Sequence, residues 1–395
     1  MTRPVVIVSG VRTAIGTFGG SLKDIPVTTL AASVAGEAIA RSGLHARDIQ
    51  HSVFGNVIHT SPRDAYLARV AAVEAGVPAS TPALTLNRLC GSGLQAVVTA
   101  AQMIMLGDAD AVLAGGAESM SRAPYAATEV RWGKRIGDAA MTDMLIATLH
   151  DPFGNGHMGI TAENIADEFA IGRAEQDQIA LESHSRASNA IVEGRFKEQI
   201  LAIETGRKGE TVSFAEDEHV RRDVDMESLG KLRPAFRTGG TVTAGNSSGL
   251  NDGAAALVLM EAAAAEHRGI RPLGRLTAYA HAGVDPSRMG LGPIPAVRAV
   301  LSRAGLSISD IDVIESNEAF AAQACAVARD LEFPRDRTNP NGGAIALGHP
   351  VGATGAIILV KLLYELQRSK GRYGLATMCI GGGQGIAVIV ERIAA

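Results

Sequence analysis

A nine-residue string occurs twice in this chain, imperfectly. Arg41-Ser-Gly-Leu-His-Ala-Arg-Asp48-Ile49 is echoed by Arg303-Ala-Gly-Leu-Ser-Ile-Ser-Asp310-Ile311, with five identities in nine positions at an offset of 262, and each copy leads from a helical stretch into a strand-like one. A second echo, Ala114-Gly115-Gly116 against Ile380-Gly381-Gly382, lies at an offset of 266. A chain with such a repeat is constrained to fold as two similar halves. The local pattern says of what kind. Short apolar runs at Val5–Ser9, Ser52–Ile58, Ala111–Ala114, Val313–Glu315 and Leu375–Cys379 alternate with longer Ala/Leu-rich amphipathic stretches such as Thr29–Ser42, which is an α/β pattern. Between the halves, residues 121 to 250 have a different texture, with charged clusters at Arg195–Glu198, Arg207–Glu210, Glu216–His219 and Arg221–Asp223. This stretch reads as an inserted excursion whose charged clusters face solvent.

Composition narrows the function classes. With 395 residues, two or three domains of ordinary size fit. Apolar residues make up 46% and charged residues 20%, so neither a disordered chain nor a coiled coil is expected. Lys plus Arg number 37 against 41 Asp plus Glu, a net charge of -4, which lacks the basic surface of a general nucleic-acid binder. No apolar run is read as reaching the roughly 18 uninterrupted residues of a membrane span. The opening Val5–Val8 run is too short for a secretory signal, so a cytoplasmic address is expected. Cys90, Cys325 and Cys379 are odd in number and far apart, with no paired spacing; neither a disulfide framework nor a metal site is expected.

Four strings carry chemistry. In Asn87-Arg-Leu-Cys90-Gly-Ser-Gly93-Leu94-Gln95-Ala96, apolar residues fall at helical spacing after the cysteine and the glycines allow a sharp bend, which puts Cys90 at a helix N-terminus. The positive end of that helix favours a thiolate, and a lowered pKa and a usable nucleophile are expected. In Gly348-His349-Pro350-Val-Gly352-Ala-Thr-Gly355, Pro350 suits the first turn of a helix to about Leu366 and holds His349 on a tight loop, where it is a candidate base. In Cys379-Ile-Gly381-Gly-Gly-Gln-Gly385 the following Ile386–Val390 prefers strand, so the glycines form a turn whose bare amides suit an oxyanion hole rather than a phosphate loop. In Asn317-Glu-Ala-Phe320-Ala, Asn317 is either a helix cap or a catalytic group, and Cys325 packs within the same helix.

Together these strings, with Gly156-His157-Met158-Gly159 and Thr243-Ala-Gly-Asn-Ser-Ser248-Gly-Leu-Asn-Asp-Gly between them, resemble the thiolase family over nearly the whole chain, in the order found in acetyl-CoA acetyltransferases. The resemblance implies a thiolase fold: two repeated mixed-sheet α/β halves in five layers (αβαβα) with an inserted loop domain. The N-terminal half would be residues 1–120 plus 251–270, the coenzyme A-binding loop domain 121–250 and the C-terminal half 271–395. It implies that Cys90 is the acylated nucleophile, that His349 activates it, and that Cys379 moves the substrate α-proton. Asn317 would hold a water that forms one oxyanion hole with His349; the Cys90 and Gly381 amides would form the other. Arg221 would lie near the nucleotide of coenzyme A, Ser248 on its pantetheine, and His157, Met158 and Phe320 at the thioester end; Arg222 and Lys231 are expected to be solvated. Coenzyme A and acetyl-CoA would be substrates, with no permanent cofactor and no nucleic-acid or membrane partner, and the assembly a homotetramer.

The resemblance also implies the activity: reversible thiolysis of 3-ketoacyl-CoA and its reverse, Claisen condensation, by a ping-pong route. Ser121-Arg122-Ala-Pro124-Tyr125 and the loop Asp151–Gly156 depart from the short-chain biosynthetic pattern, so a β-ketothiolase accepting chains slightly longer than C4, such as 3-ketovaleryl-CoA, is expected. A decarboxylating condensing enzyme is the alternative within the superfamily, and a non-catalytic acyl-CoA or lipid carrier the alternative outside catalysis.

Overall fold

The computed structural model describes residues 3–206 and 211–393, so the Arg207–Glu210 cluster lies outside the described residues. Strands covered on both faces need apolar or small side chains at nearly every position, and Val5–Thr13, Ala111–Ser119 and Asn251–Glu261 are buried almost without a break. Nine strands form one hydrogen-bonded path. Its order is Val313–Ser316, Tyr373–Ile380, Gln384–Glu391, Gly274–Gly283, Val5–Thr13, Asn251–Glu261, Ala111–Ser119, His51–Gly55, Ala83–Leu86.

The path reads alike from either side of its middle. His51–Gly55 pairs parallel with Ala111–Ser119, which pairs antiparallel with Asn251–Glu261, which pairs antiparallel with Val5–Thr13. Val313–Ser316, Tyr373–Ile380, Gln384–Glu391 and Gly274–Gly283 repeat that series with the same directions. Among the described residues, the two strand series pair with each other at two positions, Val6↔Arg275 and Ile7↔Gly274. The nine-residue repeat ends an outer helix in each half at a left-handed glycine, Gly43 with φ 76° and Gly305 with φ 66°, followed by a single 3-10 turn with a capping box. The shorter echo is a coincidence. The ladders pair His51 with Val112 and Val313 with Gly374, so Ala114 corresponds to Ala376 at offset 262, not to Ile380.

Side-chain alternation builds the layers. Val5, Ile7, Leu257, Leu259, Ile386 and Val388 join a core shared with the helices Ser92–Leu106 and Thr354–Ser369. Their neighbours turn the other way: Val6, Val8 and Val258 pack on Val27–Ser42, and Ala387 and Ile389 on Pro293–Ala304. The result is helix, sheet, central helix pair, sheet, helix, as expected. The segment Leu89–Leu106 corrects the membrane reading of the sequence: it is long and apolar enough for a span, with mean hydropathy 1.5. Here Ser92–Leu106 is one of the two central helices, with Leu94, Val97, Val98, Ala101 and Ile104 in the shared core and Leu106 exposed at its end.

The stretch after Ser119 leaves the nine-strand path and rejoins it at Asn251, adding the helices Met158–Glu168 and Arg173–Val192 and a short strand, Ile200–Leu201, that pairs parallel with Arg12–Thr13. Its charges are not all solvated. Asp217 is buried and takes Arg12 Nη1 and Nη2 at 2.7 and 2.9 Å, and Glu218 accepts hydrogen bonds from Thr17 and Ser21. Arg222 and Lys231 are the surface groups expected, paired only with exposed Glu216 and Glu227.

Candidate active site

Cys90 stands just ahead of the central helix Ser92–Leu106, whose N-cap is Gly91. The bend is tight: Leu89 has φ 46°, and a Cβ at Gly91 would lie 2.5 Å from Ile380. The expected drop in the Cys90 pKa is corrected. Burial pushes the thiol up to about 11, and the facing Gly381 amide, which favours the thiolate, offsets only part of that. A thiol so placed stays protonated at pH 7, and a nucleophilic role for it would require a base.

His349 is suited to that task. Its amide donates to Asn251 Oδ1 at 2.8 Å, and Gly348, at φ 106°, passes so close to Asn251 that a Cβ would lie 2.5 Å from it. Pro350 stands one turn before the helix, which begins at Thr354; the Ala353 and Thr354 amides each donate to the Pro350 carbonyl at 2.9 Å. The imidazole Nδ1 lies 2.6 Å from Thr354 Oγ1, while Nε2 is buried without a partner. Burial lowers the pKa to about 4, so the ring is neutral at pH 7 and free to accept a proton.

Cys379 ends the strand Tyr373–Ile380, and Gly381-Gly382-Gly383, with φ 80° and 84° at the last two, turns the chain into Gln384–Glu391. Burial, and the Cys90 sulfur beside it, push this thiol's pKa up further. Gly381 has no room for a side chain: a Cβ would lie 2.9 Å from Met158 Cε and 3.2 Å from Leu89 Cδ1. Asn317 is not a cap. The following helix, Ala321–Asp330, is capped at Phe320, and both side-chain atoms of Asn317 are buried without a partner. An unsatisfied buried amide calls for an explanation, and a polar ligand is the simplest.

Cys90, His349, Cys379 and Gly381 line one cavity of about 390 Å³. His157, Met158, Arg221, Ser248 and Phe320 line it too. Asn317 does not; it borders a separate space of about 20 Å³, shared with Thr354, Glu315 and Lys361 and large enough for one water. His157 caps the helix Met158–Glu168 by accepting from the Gly159 amide at 3.0 Å and stacks on Phe236 at 4.7 Å. Burial first, then His150 nearby, lowers its pKa. Arg221 is exposed, its backbone amide held by His184 Nδ1 at 3.1 Å. A second cavity of about 390 Å³, lined by none of these residues, lies between Arg173–Val192 and Ala321–Asp330. Cys325 faces it, its thiol pushed up to about 12 by burial, in keeping with a packing role.

Several contributors went unread in the sequence. Met120, Leu149, Phe236, Leu250 and Val351 form apolar wall, and His219 stands near Arg221. Glu118, buried and raised to about 8 by desolvation, gathers Asn56 Nδ2 and the amides of Val57, Ile58 and Gly352, tying the loop after one strand to the His349 loop. The departures taken as a chain-length signal lie elsewhere. Tyr125 is 61% exposed, Ser121 accepts from the Gly19 amide, and Asp151 holds its own loop through Phe153 and Asn155; none of them lines the cavity.

The comparisons agree with this architecture. The thiolase N-terminal domain model matches residues 5–263 and the thiolase C-terminal domain model residues 270–392. The chain is 63% identical to Beta-ketothiolase BktB of Cupriavidus necator over 395 residues, covering all of both chains. It superposes on the Bacillus anthracis acetyl-CoA acetyltransferase with a TM-score of 0.97 at 44% identity, covering 99% of each chain. Against human mitochondrial 3-ketoacyl-CoA thiolase in complex with CoA the TM-score is 0.96 at 44% identity, covering 99% of this chain and 98% of that one. With both of its domain models matched end to end, the chain belongs to the thiolase family.

Proposed function

We propose that the 390 Å³ cavity runs a thiolase cycle: reversible CoA-dependent thiolysis of 3-ketoacyl-CoA, and Claisen condensation of acetyl-CoA with acyl-CoA, through an acyl-Cys90 intermediate. The observation that carries this reading is that two thiols and one imidazole with a bare nitrogen border the same space. His349 Nε2 takes the Cys90 proton as sulfur attacks the acyl carbonyl, and the departing coenzyme A thiolate takes it back. The Gly381 and Cys90 amides stabilise the oxyanion on the Cys90 thioester. A second acetyl-CoA then enters; Cys379 gives its own proton to His349 and, as thiolate, takes the substrate α-proton, while the enolate oxygen faces His349 and a water held by Asn317. Carbon attacks the acyl-Cys90 carbonyl, the 3-ketoacyl product leaves, and the Cys90 thiolate regains a proton from the His349 imidazolium, which leaves both cysteines as thiols again. No permanent cofactor takes part in these steps.

The partition proposed is residues 1–120 with 251–270, an inserted coenzyme A-binding segment at 121–250, and 271–395. Arg221 at the mouth suits the anionic nucleotide end of coenzyme A, Ser248 the pantetheine, and His157, Met158 and Phe320 the thioester. Likeness to a β-ketothiolase and the apolar wall of Met120, Leu149 and Val351 support acyl chains slightly beyond C4. The assembly proposed is a homotetramer, favoured by the exposed Trp132 and Ile136, 93% and 86% accessible on one loop. The setting proposed is the reducing cytoplasm, where free thiols persist. A decarboxylating condensing enzyme has no use for Cys379, and a carrier has no use for either thiol. Radiolabelled acetyl-CoA separates the enzyme from the carrier: label is expected on Cys90, and its absence would leave the carrier.

A further inference from the structure

Thr354 has no part in the cycle above, yet it is the sole side-chain partner of the His349 ring among the described residues. The residue is 2% exposed, and its hydroxyl lies 2.6 Å from Nδ1 and 2.9 Å from the Pro350 carbonyl. A hydroxyl has one proton to give. If it goes to the carbonyl, which can only accept, the oxygen's lone pair faces Nδ1, so the ring carries its proton there and leaves Nε2 bare.

The other half supplies an internal comparison. At offset 262 Thr354 corresponds to Ser92, the first residue of the matching helix. Ser92 Oγ donates to the Leu89 carbonyl at 2.6 Å and accepts from the Arg88 amide at 2.9 Å, and that amide can only donate. The same hydroxyl position thus gives its proton to a carbonyl of the preceding turn and receives an N–H. In one half the N–H is backbone; in the other it is the imidazole.

We propose that Thr354 is a positioning residue that fixes His349 in its Nδ1–H tautomer and holds the imidazolium formed when Cys90 is deprotonated. In that step the Cys90 S–H bond breaks and its electron pair attacks the acyl carbon. The proton forms Nε2–H, then returns to the departing coenzyme A thiolate. While the ring is charged, Nδ1–H donates to Thr354 Oγ1, and the buried cation has an acceptor in a place that otherwise disfavours charge. The hydroxyl does for this base what a carboxylate does in a nucleophile–base–orienter triad, without adding a buried charge.

This inference rests on the proposed role of His349, and the two fail separately. Acylation of Cys90 by acetyl-CoA is timed in the full-length enzyme and in Thr354→Val, Thr354→Ser and His349→Asn. Thr354→Val is expected to slow acylation about 10- to 100-fold with KM nearly unchanged, and Thr354→Ser to restore most of the rate. A Thr354→Val enzyme at full rate, a loss confined to KM, or a loss that serine fails to rescue overturns the role of Thr354. Full acylation in His349→Asn overturns the reading of His349 itself. The ¹⁵N shifts of His349 in the unmodified enzyme at pH 7 give a readout that no substitution can distort: a protonated Nδ1 and a bare Nε2 are expected, and the opposite tautomer sinks the proposal.

Discussion

The two halves treat the same strand end in opposite ways. By the register of the ladders, Ser119 and Gly381 are equivalent positions. After Ser119 the chain leaves the nine-strand path for more than a hundred residues, touching the sheet on the way where Ile200–Leu201 pairs with Arg12–Thr13, and comes back at Asn251; after Ile380 three glycines turn it straight into the neighbouring strand. The long route brings His157, Met158, Arg221 and Ser248 to the cavity, and the short one brings Cys379 and the Gly381 amide. On the roles proposed above, a duplicated frame gives one edge of the site to gripping a substrate and the other to making and breaking bonds. The division is not complete, since Cys90 comes from the first half and His349 from the second.

The severest way to break this comparison is to remove each thiol. Cys90→Ser is expected to lower acylation about 1,000-fold or more, whereas Cys379→Ser should still take label from acetyl-CoA while losing condensation. Equal loss of both half-reactions would erase the difference in role between the two edges. Next in size is Gly381→Ala, whose new methyl meets Met158 and Leu89 and moves an oxyanion donor; a fall of about 100-fold in turnover is expected, read against an unchanged melting curve.

A glycine pair then contrasts hairpin with excursion. Gly383 and Gly133 share φ 84°, but a Cβ at Gly383 would lie 2.3 Å from the Val284 carbonyl while nothing lies within 4 Å at Gly133. Alanine should cost about 1 kcal/mol at Gly133 from backbone strain alone and about 3 kcal/mol or more at Gly383, measured by urea unfolding. Similar costs would mean that the hairpin is no more tightly set than the loop.

Acid titration tests both edges together. Burial lowers His349, His184 and His219 each to about 4, so all three are neutral in the folded protein where an unfolded chain, titrating near 6.5, is protonated. Between those values the unfolded state binds more protons, so stability is fully present above pH 6.5 and drains away as pH falls toward 4. A stability curve flat across that window would contradict the burial of these rings. The smallest effect concerns chain length. One more methylene against an apolar wall is worth about 1 kcal/mol, so C5 thiolysis should run within about fivefold of C4, and a rate confined to C4 would sink the broader range.

What could be read from the sequence was what is punctuated locally. Cys90, His349 and Cys379 each sit among Gly and Pro residues that dictate a bend, and the nine-residue repeat marks a helix end in both halves. The Cys90 pKa was misread because a helix terminus is visible in sequence while the side chains that exclude water are not. Glu118, Phe236 and Thr354 were missed for a related reason: an acid, a phenylalanine and a threonine carry no local signal, and the partners of the first two lie tens to more than two hundred residues away. Thr354 was within reach, five residues beyond His349 and on the next helix start, had the matching Ser92 been laid beside it. The shorter glycine echo misled because glycine pairs are common in a chain with 45 glycines.

The excursion leaves from Ser119 and returns beside it, where Ser119 pairs with Asp252. Its two ends are therefore pinned a single strand-spacing apart by the sheet itself, whatever lies between them. Because closing a loop grows costlier only with the logarithm of its length, residues can be gained or lost inside this segment with little strain on the frame. If the segment holds the substrate as proposed, selectivity for the acyl partner is free to drift while the bond-forming chemistry stays fixed, two properties of one enzyme that can change on separate clocks.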